Sequence, residues 1–166
     1  LANYPFTTPY PNLGMVAHNN TSFVVADIPG LIEGASEGAG LGHYFLRHVE
    51  RVRVIVHMVD ISESEGRSAI SDYEQINKEL KNYSEELSVV PQIVVATKID
   101  LLDENTLKEN LQKFEQATGQ KPILLSSIMH KGVEELLDKI TEVLSKTPKK
   151  PAQEIELHDF DVKDKT

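Results

Sequence analysis

Three short polar signatures each follow an apolar run. Asp27-Ile28-Pro29-Gly30 follows Phe23-Val24-Val25-Ala26, Thr97-Lys98-Ile99-Asp100 follows Ile93-Val94-Val95-Ala96, and Ser126-Ser127 follows residues 122–125. A carboxylate at a strand's carboxyl end, as at Asp27, is placed to hold a metal ion or a water bound to one. Gly30 has no Cβ, so its N–H can meet a phosphate oxygen directly. A carboxylate placed like Asp100 can accept two hydrogen bonds from the N1–H and exocyclic amine of guanine, a match adenine cannot offer. Charged hydrogen bonds of this kind are worth about 1.5–3 kcal/mol each. The Lys98 stem can lie along the flat face of a base, and backbone N–H groups around Ser127 can meet the guanine O6. Taken singly, each signature also reads as a solvated turn after a strand.

The signatures converge only if their strands run parallel, with carboxyl ends along one edge of a sheet. The sequence between them supplies the elements for this. Residues 4–11 hold three prolines and two threonines and read as an extended loop. Residues 12–17 read as a strand that turns at His18-Asn19-Asn20 into the run ending at Asp27, a hairpin whose asparagines suit positive φ. The run Phe23 to Ala26 reads as a buried strand of a parallel sheet. After a glycine-punctuated stretch (Gly34, Gly38, Gly40, Gly42), Leu41, Phe45 and Val49 give helical spacing. Residues 52–59 read as a buried strand closing on Asp60, and residues 68–87 as one long amphipathic helix. Residues 104–118 read as a helix stopped at Gly119, residues 122–125 as the last strand, and residues 132–144 as the last helix. The alternation predicts an α/β fold: a mostly parallel sheet with helices on both faces and one antiparallel edge hairpin.

Composition narrows the function classes. At 166 residues and 40% hydrophobic, the chain fits one domain with a normal core. Its 17 basic and 26 acidic residues give a net charge of −9, which argues against a direct grip on nucleic acid by this segment. No cysteine is present, so neither disulfides nor thiolate metal sites contribute. No apolar run approaches membrane-spanning length. A start at Leu1 without Met is expected for the interior of a longer protein. Residues 146–151 read as a linker, followed by an acidic tail.

The signatures resemble a known set. Tyr4-Pro5-Phe6-Thr7-Thr8, Asp27-Ile28-Pro29-Gly30, Thr97-Lys98-Ile99-Asp100 and Ser126-Ser127-Ile128 resemble, in order, the second to fifth guanine-nucleotide motifs of P-loop GTPases. The stretch from Asp27 to His43, with Phe45 to His48 after it, is similar nearly residue for residue to the Obg (CgtA-type) GTPases of bacteria. The resemblance implies the P-loop NTPase, Ras-like GTPase fold, GTP and GDP as ligands, Mg²⁺ as cofactor, and GTP hydrolysis by the intact protein. It further implies a cytoplasmic switch engaged with the large ribosomal subunit, in its assembly and in growth or stress control, through regions largely outside this chain. Position by position, it implies that Thr8 ligates Mg²⁺ and senses the γ-phosphate, among Phe6, Thr7, Pro9 and Tyr10. Asp27 would hold the ion through water, beside Ile28 and Pro29, and Gly30 would donate its N–H to the γ-phosphate. Thr8 and Gly30 are thus the catalytic positions, Thr8 and Asp27 the metal positions. Residues 30–42 would form switch II, Thr97, Lys98, Ile99 and Asp100 would read guanine, and Ser126, Ser127 and Ile128 would close on the base.

Three departures qualify the resemblance. Thr97 stands where Asn is commoner, and a hydroxyl makes only part of an amide's contacts. His43 and His48 read as residues of a helix flank rather than bases, and His57 as a packed core residue. No G-x-x-x-x-G-K-[ST] occurs in the chain, and Gly38-x-Gly40-x-Gly42 does not replace it. That glycine run also lacks the dinucleotide pattern, which argues against a nicotinamide enzyme. Residues 1–146 are therefore expected to be a G domain without its first strand, phosphate loop and first helix, with residues 147–166 a linker and tail or the entry to a further domain. Alone, the segment is expected to be inactive, and the alternative is an interaction module with defective nucleotide binding. In Ras-like enzymes a Gln directly after the D-x-x-G glycine orients the attacking water, whereas here Leu31 and Ile32 follow. Slow intrinsic hydrolysis is expected, accelerated by a partner, a cation or a rearranged switch II. Single-turnover hydrolysis by the intact protein alone, at partner-stimulated rates, would contradict this.

Overall fold

The computed structural model describes residues 13–26 and 51–149. Strands β1 (Leu13–His18) and β2 (Thr21–Ala26) form an antiparallel hairpin in register from Leu13↔Ala26 to His18↔Thr21. Asn19 and Asn20 make the turn at φ 48° and 59°, the left-handed pair that matches strand twist. A second sheet contains β3 (Ile55–Asp60), β4 (Gln92–Thr97) and β5 (Ile123–Leu124), all parallel, in the order β3-β4-β5. The intervening helices are α1 (Ala69–Tyr83), α2 (Glu85–Ser88), α3 (Glu104–Thr118) and α4 (Val133–Lys146). Among the described residues the hairpin and the three-stranded sheet remain separate sheets.

The core explains why β4 is an unbroken apolar run. Val94 and Ala96 pack on one face with Val59, Ile61 and Phe114, where Tyr73 of α1 and Leu107 and Leu111 of α3 close over them. Ile93 and Val95 pack on the other face against Ile140, Leu136 and Leu137 of α4. A strand covered on both faces must be apolar at every position. β3 alternates instead, with Ile55, His57 and Val59 buried while Val56 and Met58 are exposed. His57 is the packed core residue its place in the strand predicts: it stacks on Tyr73 at 4.9 Å and its Nδ1 bonds Gln92 Oε1 at 3.1 Å. Burial lowers the pKa of its imidazole, against the opposing pull of the Gln92 bond.

Four expectations change. β2 is not a buried strand, because β1 is its one partner among the described residues and Val24 and Val25 are exposed, the former at 59%. The helix expected over residues 68–87 is two helices. Ser84 breaks it by leaving the helical region (φ −160°) and accepting the Leu87 N–H on its hydroxyl, which starts α2. β5 is two residues long, and β3 begins at Ile55 rather than at residue 52. The helix expected around Leu41, Phe45 and Val49, together with His43 and His48, lies outside the described residues.

Local signals set the remaining boundaries. Asp103 caps α3 by accepting the Thr106 N–H at 2.8 Å, and Gly119 ends that helix at φ 71°. His18 Nε2 meets Asp138 Oδ1 at 2.6 Å and Asn19 Nδ2 donates to the same oxygen, tying the hairpin turn to α4. No described helix is long and apolar enough to cross a membrane. Gly132 opens α4 at φ 89°, where a Cβ would stand 1.9 Å from the Leu124 carbonyl oxygen. Around Gly119, by contrast, nothing lies within 4 Å of an added Cβ. Gly119→Ala should lower the free energy of urea unfolding by about 1 kcal/mol, the left-handed penalty alone, and Gly132→Ala by about 3 kcal/mol or more. Equal losses would remove the close approach as the cause.

Candidate functional site

The parallel register pairs Asp60 with Thr97, so β3 and β4 end side by side. Beyond β4 the chain makes a left-handed step at Lys98 (φ 57°, ψ 30°) into a 3₁₀ turn, Ile99–Leu101, closed by Leu101 N–H donating to Lys98 O at 3.1 Å. Ile99 is buried in the core cluster and anchors this turn, which leaves Asp100 exposed at the sheet edge. Ile99 thereby serves the site by fixing backbone. The Thr97 hydroxyl donates to Val59 O at 3.2 Å and stitches the two strand ends together.

The segment after β5 reaches the same place. Leu125 N–H donates to Ala96 O at 2.9 Å, carrying the chain to Ser126, which is 1% exposed. Ser126 and Lys131 exchange backbone hydrogen bonds at 3.0 Å each and close a short loop. The Ser126 hydroxyl accepts from Met129 N–H at 3.1 Å and donates to Asp100 Oδ1 at 3.2 Å. A carboxylate has about four lone-pair sites, so this bond orients Asp100 and leaves acceptor capacity for a bidentate donor. Ser127 and Ile128 are exposed on the loop. Gly132 lets this loop fold back against β5, since its backbone lies where a side chain would strike Leu124 O.

Thr97, Lys98, Asp100 and Ser126, separated by up to 29 positions in sequence, are thus gathered at one sheet edge. Phe6, Thr7, Thr8, Pro9, Tyr10, Asp27, Ile28, Pro29 and Gly30 lie outside the described residues, and with them the positions expected to hold Mg²⁺ and the γ-phosphate. One group was not singled out in the sequence. Asp60 Oδ2 accepts from Lys98 Nζ at 3.0 Å, while its Oδ1 accepts the Ser62 N–H at 2.9 Å and the Ser62 hydroxyl at 2.5 Å. Asp-x-Ser directly after a strand is the readable signal, since Asp accepts backbone N–H groups two residues on. Glu65 Oε1 makes a longer contact with Lys98 Nζ, 3.4 Å.

The sequence profile of a family described as 50S ribosome-binding GTPase matches residues 1–98. The chain belongs to that family. Within it, GTPase Obg of Thermoanaerobacter sp. is 51% identical over 158 residues, which cover 93% of this chain and 37% of that protein. GTPase Obg of Bacillus cereus is 49% identical over 158 residues, covering 93% of this chain and 36% of that protein. The Obg-type resemblance first seen in residues 27–50 therefore runs along nearly the whole chain, which spans little more than a third of these relatives' length. Among solved structures, a Plasmodium falciparum protein described as nucleolar GTP-binding protein 1 superposes with a TM-score of 0.55 at 20% identity, over 81% of this chain and 70% of that one. That likeness fixes the fold as a GTPase-type α/β fold, with the parallel sheet and antiparallel hairpin of this family member.

Electrostatics tie Asp60 and Lys98 together. Partial burial pushes the Asp60 pKa up, but the Ser62 hydroxyl, the Lys98 ammonium and the Ser62 N–H outweigh it and hold the carboxyl below the usual aspartate range. The Lys98 ammonium is raised, first by its hydrogen bond to Asp60 and then by the charge of that group. For Asp60, the folded pKa below the unfolded one means stability present above pH ~4 and lost as pH falls through the folded value. For Lys98, the raised folded pKa means stability present below pH ~10.4 and lost as pH rises through the folded value. Asp60→Asn should therefore flatten part of the acid-side fall in unfolding free energy below pH ~4. Urea titrations across pH 2.5–7 read this out, and an unchanged acid limb would dismiss the pair's contribution.

Proposed function

We propose that this chain is the switch and base-reading portion of a GTP-binding, GTP-hydrolysing switch protein of the Obg type. The observation that carries the proposal is the convergence of Asp100 and Ser126 at 3.2 Å, with Thr97 and Lys98 on the same turn. In this reading Asp100 accepts the guanine N1–H and exocyclic amine, the Lys98 stem lies against the purine, and the loop from Ser126 to Ile128 closes over O6. Thr8 and Asp27 would hold Mg²⁺, whose charge offsets that of the β- and γ-phosphates, and Gly30 would donate to the γ-phosphate. Residues 1–146 would be the G domain and residues 147–166 a linker to other parts of the protein. The family's description as 50S ribosome-binding GTPase supports a role at the large ribosomal subunit; that this role is cytoplasmic and lies in subunit assembly and in growth or stress control is what the Obg-type resemblance implies.

The phosphate loop would lie outside these 166 residues. Two observations support this: no G-x-x-x-x-G-K-[ST] occurs in the sequence, and among the described residues β2 and β3 belong to separate sheets with Val24, Val25, Val56 and Met58 exposed. A strand seated between β2 and β3 would pair both edges and cover that apolar surface. The same observations favour a second reading for the isolated chain, an interaction module without nucleotide binding.

Base recognition is tested in a longer form of the protein that carries the phosphate loop. Asp100→Asn replaces an acceptor by an amide, so GTP affinity should fall tenfold or more, about 1.4 kcal/mol, while XTP, whose C2 oxygen accepts, should gain. Unchanged GTP affinity would refute the assignment of Asp100. In the same titrations residues 1–166 alone should show no submicromolar GTP binding, and submicromolar binding would refute the placement of the phosphate loop.

A further inference from the structure

Asp60 has no part in the base reading just described, yet it is the best-fixed acid at that sheet edge. Its Oδ1 is held by the Ser62 N–H and hydroxyl, so its Oδ2 is aimed whether or not Lys98 is present. Lys98 Nζ reaches it at 3.0 Å from the neighbouring strand end. A lysine stem is flexible, and a free one samples many rotamers before it can support a ligand. Anchored at its tip by Asp60 and at its root by the left-handed turn, the stem is drawn from the end of β4 toward the end of β3. Both groups are charged at neutral pH, and the Asp60–Lys98 contact shifts their pKa values apart, Asp60 down and Lys98 up.

We propose that Asp60 is a positioning residue for guanine recognition, holding the Lys98 ammonium so that the stem stands as a preformed shelf for the purine beside Asp100. The inference rests on the guanine reading of this site. Ordering the stem before the nucleotide arrives removes an entropy loss from binding.

Calorimetric titrations with GDP, in the longer form that carries the phosphate loop, test it. Asp60→Ala should weaken GDP binding about tenfold, and Asp60→Asn, which can keep the Ser62 turn, about threefold, the scale of a charge-assisted bond turned neutral or lost. Lys98→Met keeps the stem without its charge. If Asp60 acts through Lys98, adding Asp60→Ala to Lys98→Met should weaken binding by less than about twofold further. Glu65→Ala, which removes the longer contact, should leave affinity within about twofold. Unchanged affinity in both Asp60 variants, each melting cooperatively like the unaltered protein, would overturn the proposal. So would an equal loss from Asp60→Ala in both backgrounds, the mark of a role in the turn alone. Asp100→Asn, titrated with GDP and XDP alongside, separates the two levels. A shift toward XDP with unresponsive Asp60 variants defeats the positioning role alone, whereas no shift defeats the guanine reading beneath it.

Discussion

The structure depends on the parallel pairing of β3 with β4, six residues in register from Ile55↔Gln92 to Asp60↔Thr97. Because the two strands end level, everything that follows either of them emerges at one edge. The Asx turn at Ser62, the left-handed step at Lys98 and, through the Leu125 to Ala96 bond, the Ser126 loop all start within one strand spacing of their neighbours. A slip of one residue would send His57 and Val59 to the opposite face and carry Asp60 away from Thr97. The buried, hydrogen-bonded and stacked surroundings of His57 make such a slip costly, so a core residue far from any ligand helps to set the geometry of the site.

The sheet edge that carries Thr97, Lys98, Asp100 and Ser126 is held from behind by its own core. Ile99 and Phe114 lie in the cluster beneath the turn, and Ile140 supports the other face of β4. Ser126 is buried with its hydroxyl bonded both ways, which orients Asp100 without contributing charge. The edge that gathers Thr97, Lys98, Asp100 and Ser126 thus rests on strand ends fixed by packing.

Much of this was legible in the sequence, for reasons that are local. Gly119, Asp103 and the Asn19-Asn20 pair mark boundaries because the backbone there needs a left-handed residue or an oxygen cap, whatever surrounds it. The run Ile93 to Ala96 announced a two-faced strand, and Thr97-Lys98-x-Asp100 announced what stands at its end. What escaped depended on competition or on distance. Ser84 could continue a helix or cap the next one, and periodicity cannot decide between them. The exposure of β2 turns on what lies beside it, and the run Phe23 to Ala26 looks the same in either case. The partner of Lys98 is 38 positions away, so it became visible only when register brought Asp60 abreast of Thr97.

The separation of the two sheets has a further consequence. Among the described residues β2 pairs with β1 alone and β3 with β4 alone, so each has one strand border without a strand partner, and Val24, Val25, Val56 and Met58 are exposed. Such a seam does not recognise sequence; it zips onto whatever extended segment arrives first, including the same strand of another copy. Self-association through such borders competes with folding as concentration rises.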